Sequence, residues 1–454
     1  MQFSNMKNLI LNPNGYRRTL FTSWALFLSI TANAGQNQFN VDFAIKDACN
    51  SGGARGELLV RCTNYISAFP VPPDPETITR RGGERTTILW ATTSTQSSAT
   101  NTQSSEANNN QIATINNRIV GLRNGTQGGE LQVTGTVLDK DGKPVTLGNG
   151  GKAGTTKIPG ILDDRLGIYI NGKIGYGDRI LTDNELGFQQ DTHGATVGMD
   201  YRFTDHFLIG TTFSYNYANA RFFHEIPGPL GNLKTETYSG AIYASYFSDN
   251  GFFVDGIFSG SNANYQTNRR IKYDIASEPD FDTTALSSNQ GTEYNLAMTS
   301  GFNFRKAGFT ITPQIRVDYK DTNVDALNET GGQGYALHTD GYSFKSLQTA
   351  AGLQMSYAYS TPWAVIVPMV KAEYIHEFEN DSRVFNSYFL QDVRQKRFNI
   401  ITDRPDRDFI IASAGVSAQF FHGISAFFNY DTIQGHQFLT THSFSGGIRG
   451  ELRF

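Results

Sequence analysis

The chain has 454 residues, of which 39% are hydrophobic, 18% charged and 13% aromatic, with 46 Gly, 33 Phe, 21 Tyr, 2 Cys and a formal charge of −4. Near-neutral charge removes the electrostatic case for nucleic-acid binding, and no apolar run approaches the ~20 residues a spanning helix needs. Neither fact excludes a membrane β-barrel, whose strands alternate apolar and polar residues and so average to ordinary hydropathy.

In chain order, Lys7, Arg17 and Arg18 precede an apolar stretch from Leu20 to Ile30, which ends at Ala32-Asn33-Ala34. That small-x-small ending is the spacing a signal peptidase accepts, and the stretch is too short to span, so residues 1–34 are expected to be a cleaved export signal. Export places Cys49 and Cys62 in an oxidising compartment, where a pair this close reads as a small-loop disulfide; no third or fourth ligand accompanies them. Residues 35–106 read as a short passenger and polar linker, largely irregular. Between Thr92 and Asn110, 16 of the 19 residues are Ser, Thr, Asn or Gln, too polar to order a core of their own.

Ile112, Ile115, Ile119 and Leu122 then recur at three- and four-residue steps, with Gly125 where a C′ residue belongs. The spacing predicts a pore helix over 107–125, its 18 residues from Ala107 to Asn124 about 27 Å long at 1.5 Å per residue and close to the thickness of a bilayer core. Residues 126–165 form a link containing a possible hairpin around Lys140-Asp141-Gly142.

From Leu166 a period of two persists to the end. In Thr292 to Phe304 the even positions include Tyr294, Leu296, Met298 and Phe302, and the odd ones Glu293, Asn295, Thr299 and Asn303. Twelve such strands are expected over 166–454, near 166–176, 194–203, 207–221, 235–248, 252–265, 291–305, 309–320, 343–359, 363–378, 409–421, 424–431 and 440–454. Short connections alternate without a break with longer ones at 177–193, 222–234, 266–290, 321–342, 379–408 and 432–439. An even-numbered meander with tight turns at one rim and long loops at the other is an all-β, twelve-stranded antiparallel transmembrane barrel. The last strand keeps Phe444, Ile448, Leu452 and the terminal Phe454 on one face and Arg449, Glu451 and Arg453 on the other.

These residues carry a resemblance. Ile115-Asn116-Asn117-Arg118-Ile119-Val120-Gly121-Leu122-Arg123, Tyr201-Arg202-Phe203-Thr204-Asp205, Glu377-Phe378-Glu379-Asn380-Asp381-Ser382-Arg383, Asp403-Arg404-Pro405-Asp406-Arg407-Asp408-Phe409 and the aromatic terminus make the last ~290 residues look like the translocator barrel of type V autotransporters. The resemblance implies a twelve-stranded outer-membrane barrel with a helix threaded through its pore, mediating export or surface display of the segment before it. It also implies lipid, periplasmic chaperones and the barrel-assembly machinery as partners, the last reading Phe444, Ile448, Leu452 and Phe454. Asn116-Asn117 occupies a place comparable to the self-cleavage site of some members, in a helix rich in Asn throughout. The passenger departs from the family, being short and without repeats.

Chemistry is sought and not found. All eight His lie from His193 onward, so the passenger holds no Ser-His-Asp set, and no His is followed at i+2 by Ser as in outer-membrane phospholipases. Gly151-Lys152 is followed by Ala153 where a phosphate loop needs a hydroxyl. No enzyme activity, metal or cofactor is expected, and the pore is expected to work as a single chain. The constellation singled out is electrostatic: Lys173, Asp200, Arg202, Asp255, Glu293, Arg316, Asp318, Lys371, Glu373, Arg449, Glu451 and Arg453 face the lumen by parity. Arg118 and Arg123 of the helix are expected to pair with wall carboxylates such as Asp255, Glu293 or Glu373, holding Ile115, Ile119 and Leu122 in the pore as a plug. The alternatives are a porin for small polar solutes and a surface adhesin acting through the long loops.

Overall fold

Twelve long antiparallel strands close on themselves in the computed structural model, which describes residues 36–70, 89, 95–123, 135–138, 144–147, 165–223, 230–275, 277–420 and 424–451. The export signal, Gly125, Leu452, Arg453 and Phe454 lie outside these. The strands are β1 (Leu166–Arg179), β2 (Gly187–Thr204), β3 (Phe207–Phe223), β4 (Gly231–Phe247), β5 (Phe252–Ile275), β6 (Glu278–Phe302), β7 (Phe309–Val324), β8 (Tyr342–Tyr357), β9 (Ala364–Glu377), β10 (Asp408–Phe420), β11 (Ile424–Gln434) and β12 (Leu439–Glu451). Each pairs with its neighbours in sequence, and β12 returns to β1 over Leu439↔Arg179 through Glu451↔Gly167, so the wall has no free edge.

Burial is inverted relative to a water-soluble sandwich. On β6, Tyr294, Leu296 and Met298 are 55%, 56% and 57% exposed, whereas Glu293, Asn295 and Ala297 between them are 4%, 1% and 2% exposed. Ile168, Ile170 and Ile174 on β1 and Ile448 on β12 share the outward face. Apolar side chains outside and polar ones inside suit a cylinder whose solvent is hydrocarbon.

Strands extend beyond the expected bounds at the long-loop rim. The expected loop at 266–290 is instead a hairpin continuing β5 and β6, paired through Arg269↔Ala285 and Tyr273↔Phe281. Its outer face turns polar at Arg270, Lys272 and Asp282, so the lipid-facing signature stops although the ladder does not. The expected loops at 321–342 and 379–408 contribute a four-stranded sheet over this rim, ordered Leu327–Asn328, Leu337–Thr339, Val384–Phe389, Phe398–Ile401. Gly135–Leu138 and Pro144–Leu147 form the small hairpin of the link.

The described residues of the N-terminal region are largely helical rather than irregular. It forms helices α1 (Gln36–Asn50) and α2 (Gly56–Ala68), and the polar linker is itself helical, since α3 runs Ala99–Arg123 after a 3-10 turn at Thr95–Ser98. Val41, Ala44, Ile45 and Ala48 on α1, at three- and four-residue steps, join Leu58, Cys62 and Tyr65 of α2 in one core with Ile271, Tyr273 and Phe281 of the β5–β6 hairpin and Tyr335, Phe389 and Phe398 of the segments over the rim. The segment orders because the rim supplies the apolar surface it lacks. Its hydrogen bonds are borrowed too: Arg55 offers α2 no side-chain cap, and Gln391 of the β9–β10 loop accepts from the Leu58 N–H at 2.8 Å. Cys49 and Cys62 are bonded, with Cα atoms 5.3 Å apart.

Candidate functional site

Helix α3 occupies the lumen with its N-terminal end at the long-loop rim. Ala99 packs among Phe188, Phe222 and Leu233 there, and further along Ile112, Ile115 and Ile119 meet Leu208, Ala241, Tyr243, Ile257 and Ala297 deep in the barrel. Between these apolar contacts a polar helix answers a polar wall. Ser104 and the Tyr265 hydroxyl lie 2.6 Å apart, Gln111 donates to Thr212 at 3.0 Å, and Asn171 donates to Thr114 at 2.8 Å. Glu106 accepts from Gln190 and Thr192, and Lys320 donates to Asn109 at 3.0 Å. Ser, Thr, Asn and Gln, poor material for an isolated helix, here satisfy barrel groups that would otherwise be buried without partners. The 25 residues of α3 span roughly 37 Å, more than the expected 18-residue helix.

Arg118 is an electrostatic anchor of the helix. It is 2% exposed and donates from Nε and Nη2 to both oxygens of Asp200 on β2, at 2.6 and 2.7 Å. The Tyr243 hydroxyl donates to the same carboxylate at 3.0 Å, and the guanidinium lies over the Tyr169 ring. Bidentate geometry with both lone-pair sets engaged is what a buried pair requires to offset desolvation. Two glycines make room: a Cβ on Gly167 would come within 2.2 Å of Arg118 Nη2, and one on Gly210 within 2.2 Å of the Tyr243 ring.

Asp255, Glu293 and Glu373, expected as partners of Arg118 and Arg123, each have neighbours within the wall. Asp255 accepts from Ser245 at 2.6 Å and Glu293 from Thr322 at 2.7 Å, each within a cross-strand pair of the wall. Glu373 is taken by Lys371 at 3.0 Å, Arg316 at 3.5 Å and Gln314 at 2.9 Å. Asp200, beside the last turns of α3, is the carboxylate that takes Arg118. Arg449, 5% exposed, donates to the Asn117 carbonyl at 3.2 Å and so also touches the helix. Arg202 is half-buried near the short-turn rim, Glu451 pairs through its backbone with Gly167, and Phe444 and Ile448 lie on the outer face of β12. The side chains of Leu122 and Arg123 fall outside the described residues. Tyr243, Gly167 and Gly210 carry no signal in the strand alternation beyond an aromatic or a gap on the inner face.

One side of α3 leaves space. A cavity of about 270 Å³ separates it from the wall of β7–β12 and β1, with Lys173, Arg316, Lys371, Glu373 and Asp431 on the wall side. At the long-loop rim Arg179 bridges Glu185 at 3.1 Å and Asp403 at 2.7 Å, joining the β1–β2 and β9–β10 loops. Burial pushes the Glu185 carboxyl up, against the pull of the Arg179 guanidinium, and lowers His436 in the neighbouring loop. Among the described residues no group of His, Cys, Asp and Glu is arranged to hold a metal.

Residues 168–431, more than half the chain, match the family described as the autotransporter beta-domain. Curated relatives are distant: outer membrane protein A of Rickettsia conorii is 20% identical over 221 residues, 48% of this chain and 11% of that one. A probable autotransporter, YcgV, of Escherichia coli K12 is 23% identical over 233 residues, 50% of this chain and 22% of that one. The chain thus spans between a tenth and a quarter of the length of these relatives. Among solved structures, the translocator domain of NalP from Neisseria meningitidis overlays at TM-score 0.49 and 17% identity, covering 64% of this chain and 90% of that one. The beta domain of the Bordetella autotransporter BrkA overlays at TM-score 0.45 and 15% identity, covering 64% and 100%. With the family match over the strands and a closed twelve-stranded wall of apolar exterior, the chain belongs to the autotransporter β-domain family and its barrel resides in the bacterial outer membrane.

Proposed function

We propose that the barrel exports the segment preceding its lumen helix to the cell surface and keeps it there, as a disulfide-linked pair of helices on the long-loop rim. One observation carries this reading. Helix α3 threads the lumen with its N-terminal end among Phe188, Phe222 and Leu233 at that rim, so the chain before it emerges on the side of the long loops, which face outward in barrels of this kind. The role is physical rather than catalytic, with α3 as a plug anchored through Arg118. Lipid contacts the outer band, periplasmic chaperones and the barrel-assembly machinery deliver and insert the chain through its terminal strand, and the pore works as a single chain without nucleic acid. An adhesin acting through the loops is the weaker reading, because Tyr335, Phe385, Phe389 and Phe398 are already used to seat α1 and α2.

A protease site inserted between residues 71 and 88 tests this on intact cells. Cleavage from outside, with α1 and α2 recovered as a separate fragment on a reducing denaturing gel, is the expected result. Cleavage only after the outer membrane is permeabilised would place the segment in the periplasm and favour a porin.

A further inference from the structure

We propose that the space beside α3 is a binding pocket for a small carboxylate with an aromatic or branched apolar body. Its volume of about 270 Å³ is just under the roughly 300–1,000 Å³ usual for small-molecule sites. Every strand residue that lines it sits in the long-loop half of the wall, so it is a blind pocket rather than a channel. Arg404 of the β9–β10 loop lines it and is exposed to solvent, which puts the mouth at the long-loop rim.

Two unlike surfaces face each other across it. The inner face of β10–β12 is polar deep in the barrel, through Ser413, Asn429 and Ser445, but nearer the rim the same face carries Phe409, Ile411, Ile433 and Leu439, all of which line the cavity. Ile411 and Ile433 stand directly opposite each other on neighbouring strands. None of the four joins a buried apolar core of the described residues, and α3 turns Thr102, Ser105 and Asn109 toward the same space. An apolar patch left uncovered in a polar lumen gains from an apolar body laid on it. The second surface is cationic where it meets the space. Lys371 and Arg316 share one carboxylate, Glu373, at 3.0 and 3.5 Å, and their side chains are 18% and 13% exposed while that of Glu373 is 2% exposed. Lys320 adds a third cation, and Asp318, beside Arg316 at 3.8 Å, is the second carboxylate of the group. Three cations over two carboxylates, with the carboxylate of Glu373 set behind, leave the patch one positive charge in surplus, which a ligand carboxylate would neutralise through charge-assisted hydrogen bonds. Lys173 and Asp431 contribute one charge of each sign to the remaining wall and leave that surplus unchanged.

Titration of sodium phenylacetate into the full chain held in phosphatidylcholine nanodiscs, followed by saturation-transfer NMR with empty nanodiscs subtracted, tests the pocket. Wild type is expected to bind with a Kd of about 1 mM or tighter. Acetate, which lacks the ring, and phenylacetamide, which lacks the charge, are each expected to bind at least about tenfold more weakly. Lys371→Gln removes a cation and Ile433→Asn makes the apolar wall polar; each, checked for an intact barrel by heat-modifiable gel mobility, is expected to weaken phenylacetate about tenfold. No binding to wild type, equal affinity for the three compounds, or wild-type affinity in either folded variant overturns the pocket. Should a variant fail to fold, the three compounds on wild type decide: phenylacetate favoured supports the pocket, and no preference overturns it. None of these outcomes bears on export, which the inserted protease site reads by itself.

Discussion

Arg118 and Asp200 illustrate what a single pair does in this protein. Both are nearly excluded from water, at 2% and 5% exposure, so neither charge can be removed without stranding the other in the lumen. Arg118→Ala is therefore expected to loosen the C-terminal half of α3 by about 3–5 kcal/mol, read as faster amide hydrogen exchange across residues 111–121. Asp200→Asn should act in the same direction, and the double variant should be less damaged than the sum of the two. Unchanged exchange in Arg118→Ala would mean the apolar contacts of Ile112, Ile115 and Ile119 hold the helix by themselves. At the rim, the Arg397 guanidinium, with His338 beside it, holds the Asp340 carboxyl below its ordinary 3.8. A depressed carboxylate stabilises the fold above its unfolded value and loses that contribution as pH falls through the folded one. Exchange protection of Leu337–Thr339 should accordingly fall as pH drops below 3.8, and Asp340→Asn should remove that part of the pH dependence. Identical profiles for the two proteins would contradict the assignment.

Among elements, the strands were legible and helices α1 and α2 were not, for a reason of distance along the chain. A strand reports its two faces locally, so Tyr294, Leu296 and Met298 against Glu293 and Asn295 identify both lipid and lumen without knowledge of any partner. Helix α1 gets its order from a strand edge 364 residues away, through Asn37 and Ile401, and α2 gets its N-terminal cap from Gln391. The same non-locality hid the first turns of α3, whose Ser, Thr and Gln side chains read as linker until a polar wall is placed around them. The hairpin of β5 and β6 was lost where Arg270, Lys272 and Asp282 replace apolar residues on the outer face. Two tests belong here. Leu296→Arg, at mid-band on β6, should cost about 2–4 kcal/mol of barrel stability in bilayers, measured by urea unfolding, whereas Asn295→Ser on the inner face should cost less; the reverse order would mean the faces are misassigned. Replacing Cys49 and Cys62 with Ser should release about 3 kcal/mol of constraint on the 13-residue loop, raising protease sensitivity of α1 and α2 while the barrel stays heat-modifiable. Equal sensitivity with and without the bond would show that the rim contacts suffice.

As a whole molecule, the chain turns the usual distribution of residues inside out and then refills the interior with its own polar helix. Closure of β12 on β1 pairs the backbones of the first and last described strands, as a β structure must do to cross hydrocarbon. Twelve strands enclose room for one helix, and hydrogen bonds tie the N-terminal elements to the barrel at both ends, from Arg449 and the Asn117 carbonyl on one side to Asn37 and the β1–β2 loop on the other. Family membership agrees with this architecture, and helices α1 and α2 share one apolar core with the barrel's long-loop rim. Spin labels placed singly at residues 292 to 300 of β6, in the full chain reconstituted in bilayers, test the central claim most directly. The account predicts that accessibility to oxygen dissolved in lipid peaks at 294, 296 and 298 and falls at the odd positions between them. A flat profile, or maxima at 293, 295 and 297, would contradict a barrel with its greasy face outward.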